Sequence, residues 1–320
     1  MGSGKPASPA IDAIFQPWIT PSIFEETGND AIVDEYTYGQ YQDHDVAQTK
    51  LRKHWSTFYS EDDFRLMREY GLNHARYAAP TYLVSFEPTL CRIPISWWSV
   101  PVEQNTGSYI PGAWPYILKA LDWAAAHNIY VILDLHGAPG SQNGFDNSGI
   151  RTGDPEWGIQ QSNINATVNV ISYIAKEIGD KVSVIELLNE VAGFRQGFGD
   201  AARQYWQSGY RAVRDAVGTG PKVMIGDAFL TVGAWNGYTI EPEASGVIMD
   251  LVSLSGVVCR RQPDPFVHSM CTRSSARMSS QEQMMSIFPY VIILFFVVLD
   301  NLTQPPVCLR AYSRVRQLCQ

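Results

Sequence analysis

The sequence predicts a parallel α/β fold of the (β/α)8-barrel class. Apolar strand-like runs alternate with amphipathic helices, at intervals of about 40 to 50 residues. Polar residues stand at three different predicted strands, at Arg92, at His136 with Asp134, and at Asn189–Glu190. A doubly wound sheet gathers its functional residues at one switch point, whereas barrel loops collect them from several strand ends. The spread of polar residues therefore favours the barrel over the doubly wound sheet.

The individual elements are predicted from capping residues and apolar periodicity. Ser60 and Asp63 have the spacing of a capping box and mark the first helix, while residues 28–48 are predicted to be a polar loop. Helices are predicted over residues 60–70, 113–127, 163–177 and 199–217. Strands are predicted over residues 92–95, 129–135, 182–190, 222–229 and 247–250.

Composition divides the chain into unequal parts. Residues 1–250 hold 17 basic and 29 acidic residues, whereas residues 251–320 hold seven Arg, three acids, no Lys and no Trp. This change in composition predicts an unrelated tail over residues 251–320, outside the barrel. Residues 75–91 separate a helix from its strand by more than the usual connection and are predicted to be an insertion.

Several functional classes find little support in the sequence. The net charge of -8 disfavours nucleic acid, and no loop matches a dinucleotide or ATP fingerprint. The five cysteines match no zinc pattern, so we expect no metal and no cofactor. The apolar run over residues 287–299 is too short to cross a bilayer, for which about 20 residues are needed, so we expect no membrane span.

Glu190 is the most informative ionisable residue. A carboxyl group at the end of an apolar strand is costly to bury unless it has a partner or a task. It is either a solvated strand-end or helix-cap acid, or the acid/base of a glycosidase. In the second role, burial raises the pKa of the carboxyl so that it can protonate the glycosidic oxygen. Asn189 beside it supplies an amide for a sugar hydroxyl.

Several motifs along the chain carry a family resemblance. The longest runs from Leu133 through His136 to Gly149, and another places Asn189–Glu190 after an apolar strand. The others begin at Trp18, Asp34, His54, Gly71, Arg92 and Trp235. Together these motifs resemble the fungal exo-beta-1,3-glucanase branch of glycoside hydrolase family five. The resemblance covers roughly residues 15–250, which implies a partial barrel over those residues after an irregular start over residues 1–14.

The resemblance implies a (β/α)8 barrel, a retaining mechanism and a set of site residues. Glu190 is then the acid/base, and a second glutamate is the nucleophile. The implied substrate-binding residues are Arg92, His136, Phe145, Asp146, Asn189 and Trp235. The plainer alternatives are a structural ion pair for Arg92, a core position for His136 and simple packing for Phe145.

This sequence also departs from the family pattern. The family nucleophile stands in a Gly-Glu-Trp context, which this chain lacks, and its later glutamates are Glu241, Glu243 and Glu282. We therefore expect an incomplete barrel without its first, seventh and eighth strands, arising from truncation or mis-splicing, and an enzyme with impaired activity. A non-catalytic glucan-binding remnant that uses Phe145, Asp146, Trp157 and Trp235 is the main alternative, and a membrane-associated fragment is a third.

The resemblance also sets expectations for partners and location. The implied substrate is β-1,3-glucan or a glucosyl oligosaccharide, bound by a monomer. Family members are typically secreted or bound to the cell wall, although the first residues show no signal peptide. Localisation in the extracellular space or wall is thus implied by resemblance alone.

Overall fold

The computed structural model describes residues 23–70, 89–102, 105–230, 232–253 and 293–298. Within these ranges the strands are β1 (Thr89–Ser96), β2 (Ile129–Gly137), β3 (Val184–Glu186), β4 (Lys222–Gly226), β5 (Val247–Ser253) and β6 (Ile293–Val298). The α-helices are α1 (Glu35–Tyr41), α2 (His44–Thr57), α3 (Glu61–Glu69), α4 (Trp114–Ala126), α5 (Gln161–Ile178) and α6 (Phe198–Val217).

The sheet follows the order of the chain. Strands β1 to β5 pair in parallel, each with the next, and no described strand interrupts the series. A doubly wound sheet would reverse its order at a switch point, whereas sequential parallel strands with intervening helices are the barrel pattern. The barrel prediction is confirmed, with five parallel strands in the described part of the chain.

Strand β6 pairs with β5 in the antiparallel direction. It comes from residues 251–320, which the composition separates from the barrel. The assignment of that segment as an unrelated tail stays a prediction. The predicted insertion over residues 75–91 lies mostly outside the described residues, but Thr89–Cys91 begin β1 by pairing with Ile129–Val131.

The predicted loop over residues 28–48 is wrong. Helix α1 and the start of α2 occupy much of it. The Asp34 carboxylate accepts a hydrogen bond from the Thr37 backbone N–H at 2.7 Å and completes a capping box. Asp43 caps α2 in a similar way, through the N–H groups of Asp45 and Val46. These polar helices depend on their caps for stability. They lack the broad apolar face from which sequence periodicity predicts a helix.

The other predicted helices match α3, α4, α5 and α6 to within a residue or two at most ends. The capping box of Ser60 and Asp63 is present at α3. The predicted strand over residues 182–190 pairs only from Val184 to Glu186, and the chain then leaves the sheet toward Asn189 and Glu190. The largest core cluster joins the helices to one face of the sheet and includes Leu133, Ile185 and Val223.

The other face of the sheet holds a smaller apolar floor, made by Leu90, Ile132, Val184, Met224 and Ile248. Alternate residues of a strand point to the same face, so the side chains two positions further on stand above this floor. On four of the five strands this side chain is ionisable: Arg92, Asp134, Glu186 and Asp250. On the fifth strand, β4, the position is Gly226. The fold thus places a charged layer on an apolar one, toward the carboxyl ends of the strands.

Candidate active site

Arg92 is the centre of the charged layer. Its side chain is 5% exposed and donates to both carboxylate oxygens of Glu186, from Nε at 2.8 Å and from Nη2 at 2.6 Å. The same Nη2 lies 3.0 Å from Oδ2 of Asp134 and donates to Oδ1 of Asn189 at 2.9 Å. The ion pairs and hydrogen bonds between the buried arginine and these two carboxylates offset the free-energy cost of removing the charges from water.

The charge of this layer is not balanced. Three carboxyl groups surround a single guanidinium, and Oδ1 of Asp134 and Oδ1 of Asp250 are buried without a hydrogen-bond partner among the described residues. Burial raises the pKa of Asp250 to about 7, although Arg92 opposes the shift. Burial likewise raises the pKa of Glu186 well above its usual range, against the influence of Arg92. Burial in this layer therefore favours the protonated form of its carboxyl groups, while Arg92 favours the ionised form.

His136 connects the charged layer to solvent. Its Nδ1 lies 2.6 Å from Oδ2 of Asp134, and its side chain is 21% exposed. A carboxylate at Nδ1 favours the proton on that nitrogen, which leaves Nε2 as an acceptor. Nε2 in turn lies 3.5 Å from the amide nitrogen of Asn189, whose oxygen is held by Arg92. Asp134 thus orients His136, and Arg92 orients Asn189, from the charged layer.

Glu190 follows β3 and adopts a left-handed backbone conformation, with φ of 48°. Such a conformation costs a non-glycine residue on the order of 1–3 kcal/mol and persists only where the surroundings enforce it. Its side chain is almost buried, and Oε2 accepts a hydrogen bond from the Asn147 amide at 2.8 Å. The strained backbone therefore presents a carboxyl group in a fixed position.

Two buried amides enforce this backbone. The Gln142 amide donates to the carbonyl oxygen of Asn189 at 3.0 Å, and the Asn143 amide donates to that of Glu190 at 3.1 Å. Gln142 also bonds the backbone of His136 and Ala138. The loop after β2 therefore fixes the position of Glu190, a contribution that the sequence pattern did not reveal.

A cavity of about 340 Å³ opens beside β1 and reaches this network. Arg92, His136 and Asp146 line it, as do Asn147 and Glu35. Asp146 is half-buried and pairs with Arg151 at 2.8 Å. Asn189 and Glu190 are joined to the cavity through hydrogen bonds to Arg92 and Asn147.

The remaining predicted residues lie differently. Phe145 is half-buried in the loop immediately before Asp146. Trp235 is packed away, since its Nε1 donates to the carbonyl oxygen of Asp227 at 3.0 Å and the Arg203 guanidinium lies 5.0 Å from its ring centre. Trp157 is fully buried and bonds Thr167, so it offers no surface to a glucan.

The sequence analysis missed Glu186, Asp250 and Asn147. A usable signal for the first two was an apolar residue followed two positions later by an acid, as in Val184–Glu186 and Ile248–Asp250. In a strand this spacing places both side chains on one face. In the described part of the chain, no group of three or more His, Cys, Asp or Glu residues has the arrangement of a metal site.

The fold and the site together define a barrel protein with a network of ionisable groups where its strands end. The family described as Cellulase (glycosyl hydrolase family 5) matches residues 86–249, and the chain belongs to this family. The resemblance predicted from the motifs is thereby confirmed.

Two sequence relatives agree with this membership, and a solved structure shares the fold. The chain is 37% identical over 248 residues to a glucan 1,3-beta-glucosidase of Schwanniomyces occidentalis, covering 74% of this chain and 53% of the relative. It is 38% identical over 242 residues to a glucan 1,3-beta-glucosidase of Blumeria graminis, covering 74% and 52%. The crystal structure of rutinosidase from Aspergillus niger shares the fold, with a TM-score of 0.56 and 19% identity over 72% of this chain and 63% of that one. The chain thus spans about half the length of these two sequence relatives.

Proposed function

We propose that this chain carries the acid/base half of a retaining glycoside hydrolase site for β-1,3-glucan, with Glu190 as the acid/base. The observation that supports this most is the enforced backbone of Glu190, whose carboxyl is fixed by Asn147 next to the cavity. The names of the two fungal relatives support β-1,3-glucan as the substrate. In this mechanism the acid protonates the leaving glycosidic oxygen and later activates water.

The neighbouring groups have complementary roles in the proposal. The Asn189 amide, oriented by Arg92, donates to a sugar hydroxyl beside the scissile bond. His136, held by Asp134, is partly exposed and contacts the sugar at the base of the site. Asp146 accepts from sugar hydroxyls at the cavity wall, and Phe145 contributes an apolar surface near it. The packing of Trp235 gives its proposed sugar contact no support.

The described residues include no glutamate placed to serve as the nucleophile. In retaining enzymes the two carboxyl groups stand about 5 Å apart. Glu241 pairs with Arg211 on α6, and Glu243 is exposed; both precede β5 and lie toward the amino ends of the strands. Glu282 lies outside the described residues. We infer that hydrolysis of natural glucan by this chain is strongly impaired.

Two measurements on the whole chain test this proposal. Calorimetric titration with laminaritriose is expected to show binding that Glu190→Gln weakens, while glucose release from laminarin stays near background. The exposed Glu177→Gln on α5 is the matched control and is expected to bind as the unchanged chain does.

The outcomes separate the parts of the proposal. Glucose release that Glu190→Gln abolishes would contradict the impairment and support the hydrolase. Binding without release, unaffected by Glu190→Gln, would favour the glucan-binding remnant. A folded chain without affinity for laminaritriose would refute the substrate.

Location and assembly are further parts of the proposal. No described helix has both the length and the apolar character needed to cross a bilayer. We propose a monomer that acts in the extracellular space or the cell wall, as the family resemblance implies. Light scattering after size exclusion, and fractionation of culture medium, wall and cells, test these two statements.

A further inference from the structure

Glu35 lines the same cavity as Arg92, His136 and Asp146, although it lies far from them in the sequence. It is the first residue of α1 and is half-buried. The motif from Asp34 to Tyr38 belonged to the family resemblance without any role attached to it. The structure therefore brings a further carboxyl group to the proposed sugar site.

Helix α1 is tied to the loop that carries Asp146. The Tyr36 backbone N–H donates to the carbonyl oxygen of Gly149 at 3.0 Å. On the other side, the Arg151 backbone N–H donates to Oδ2 of Asp34 at 2.7 Å. These bonds flank Glu35 in the sequence, so its backbone is fixed against residues 149–151.

Trp98 fixes the side chain of Glu35. Its indole N–H donates to Oε2 of Glu35 at 2.8 Å. The Trp98 ring is stacked on Tyr109, with ring centres 3.9 Å apart and planes 7° from parallel, and its other edge lies against Gly149. Since the donor is rigid, the carboxyl group is held in one orientation toward the cavity.

The second oxygen of Glu35 has no hydrogen-bond partner among the described residues. Burial raises the pKa of Glu35, the Trp98 N–H opposes the shift and the charge of Asp34 adds to it. A carboxyl group that keeps its proton has an O–H donor as well as an acceptor oxygen. A sugar hydroxyl can satisfy both.

We propose that Glu35 binds a hydroxyl group of the glucosyl unit that lies between α1 and the loop over residues 137–149. This inference rests on the proposed function and deepens it, because it assigns a substrate-binding residue to a helix that precedes the described barrel strands. Asp146 and Asn147 line the same cavity from the loop, so the glucosyl unit is held from two sides.

The test compares laminaritriose affinities of the whole chain and its variants by calorimetry. Loss of one hydrogen bond of about 0.5–1.5 kcal/mol corresponds to a roughly 2- to 13-fold rise in Kd, which we expect for Glu35→Ala. Glu35→Gln keeps an acceptor for Trp98 and a donor for the sugar, so its Kd should change less. Glu177→Ala, on the exposed face of α5, is the control and should bind normally.

Monodeoxy analogues of methyl β-glucoside identify the contact itself. One analogue should bind the unchanged chain more weakly than the parent glucoside and bind Glu35→Ala as the parent does. Trp98→Phe, which removes the indole donor but keeps a ring, should weaken binding of the parent. Circular dichroism confirms that each variant is folded.

Three results would overturn the inference. If Glu190→Gln weakens binding and Glu35→Ala does not, the inference fails while the proposed function stands. If every deoxy analogue loses as much affinity for Glu35→Ala as it loses for the unchanged chain, the contact is refuted as well. If the folded, unchanged chain binds no glucoside, the proposed function fails and the inference falls with it.

Discussion

Replacement of Asp250 by Asn tests the unbalanced charge of the layer beneath the site. Asp250 is 4% exposed, shares the layer with Arg92 and has a buried oxygen without a partner among the described residues. Burial raises its pKa from an ordinary value of 3.8 to about 7. The folded chain thus holds a proton on Asp250 over a pH range in which the unfolded chain has released it.

The sign of the effect follows from this difference. A carboxyl with a raised pKa in the folded state contributes stability that is fully present below pH 3.8 and is lost as pH rises to about 7. A difference of about three pH units corresponds to about 4 kcal/mol, at roughly 1.4 kcal/mol for each unit. The charge of Asp250 also helps to raise the pKa of Glu186, so its removal acts in the same direction.

Urea unfolding followed by tryptophan fluorescence at several pH values between 4 and 8 gives the required free energies. The quantity compared is the free energy of unfolding of Asp250→Asn minus that of the unchanged chain. We expect this difference to rise by about 4 kcal/mol from the acidic to the alkaline end of the range. The exposed Asp215→Asn on α6 is the control and should show a flat difference. A flat difference for Asp250→Asn too would refute the reasoning, because Asp250 would then titrate alike in both states.

Two further substitutions test how the site is supported. Arg92→Met removes the arginine partner of the buried Glu186 and Asp134 carboxylates and should lower the free energy of unfolding by about 3–5 kcal/mol. Arg65→Met, whose ion pairs are open to solvent, should lower it far less; equal losses in urea unfolding would contradict the charged layer. Gly149→Ala places a Cβ 2.0 Å from the Trp98 ring at a φ of 95°. The control Gly197→Ala has a similar φ of 83° but open space around the new Cβ. Gly149→Ala should therefore lower the free energy of unfolding by about 1–3 kcal/mol more than the control, and similar thermal unfolding of both would contradict the packing.

The sequence predicted those elements whose stability comes from an apolar face. The helix at Trp114–Ala126 and the strand at Ile129–Gly137 carry such a face and were predicted almost to their ends. Helices α1 and α2 were missed because they depend on the caps Asp34 and Asp43 more than on an apolar stripe. The end of β3 was misplaced because an apolar run does not show where backbone pairing stops.

The site was predicted in part for a similar reason. Glu190 and His136 stand out because a polar group interrupts an apolar run at its end. Glu186 and Asp250 are recognisable only when strand alternation is combined with strand pairing, since Arg92, whose charge acts on both, is more than 90 residues from Glu186 in the sequence. The buried amides of the loop after β2 act through backbone carbonyl groups, for which residue type is no guide.

The most direct test of Glu190 as the acid/base uses aryl β-glucosides in the presence of sodium formate. Formate supplies the carboxylate that attacks the anomeric carbon, and the proton for the departing phenolate oxygen must then come from Glu190. Phenyl glucoside needs that proton, whereas dinitrophenyl glucoside has a leaving group that departs without it. We predict formate-dependent turnover in which Glu190→Gln slows the phenyl substrate by about 10²- to 10⁴-fold and leaves the dinitrophenyl substrate nearly unchanged. Equal slowing of both substrates, or turnover indifferent to Glu190→Gln, would contradict the account.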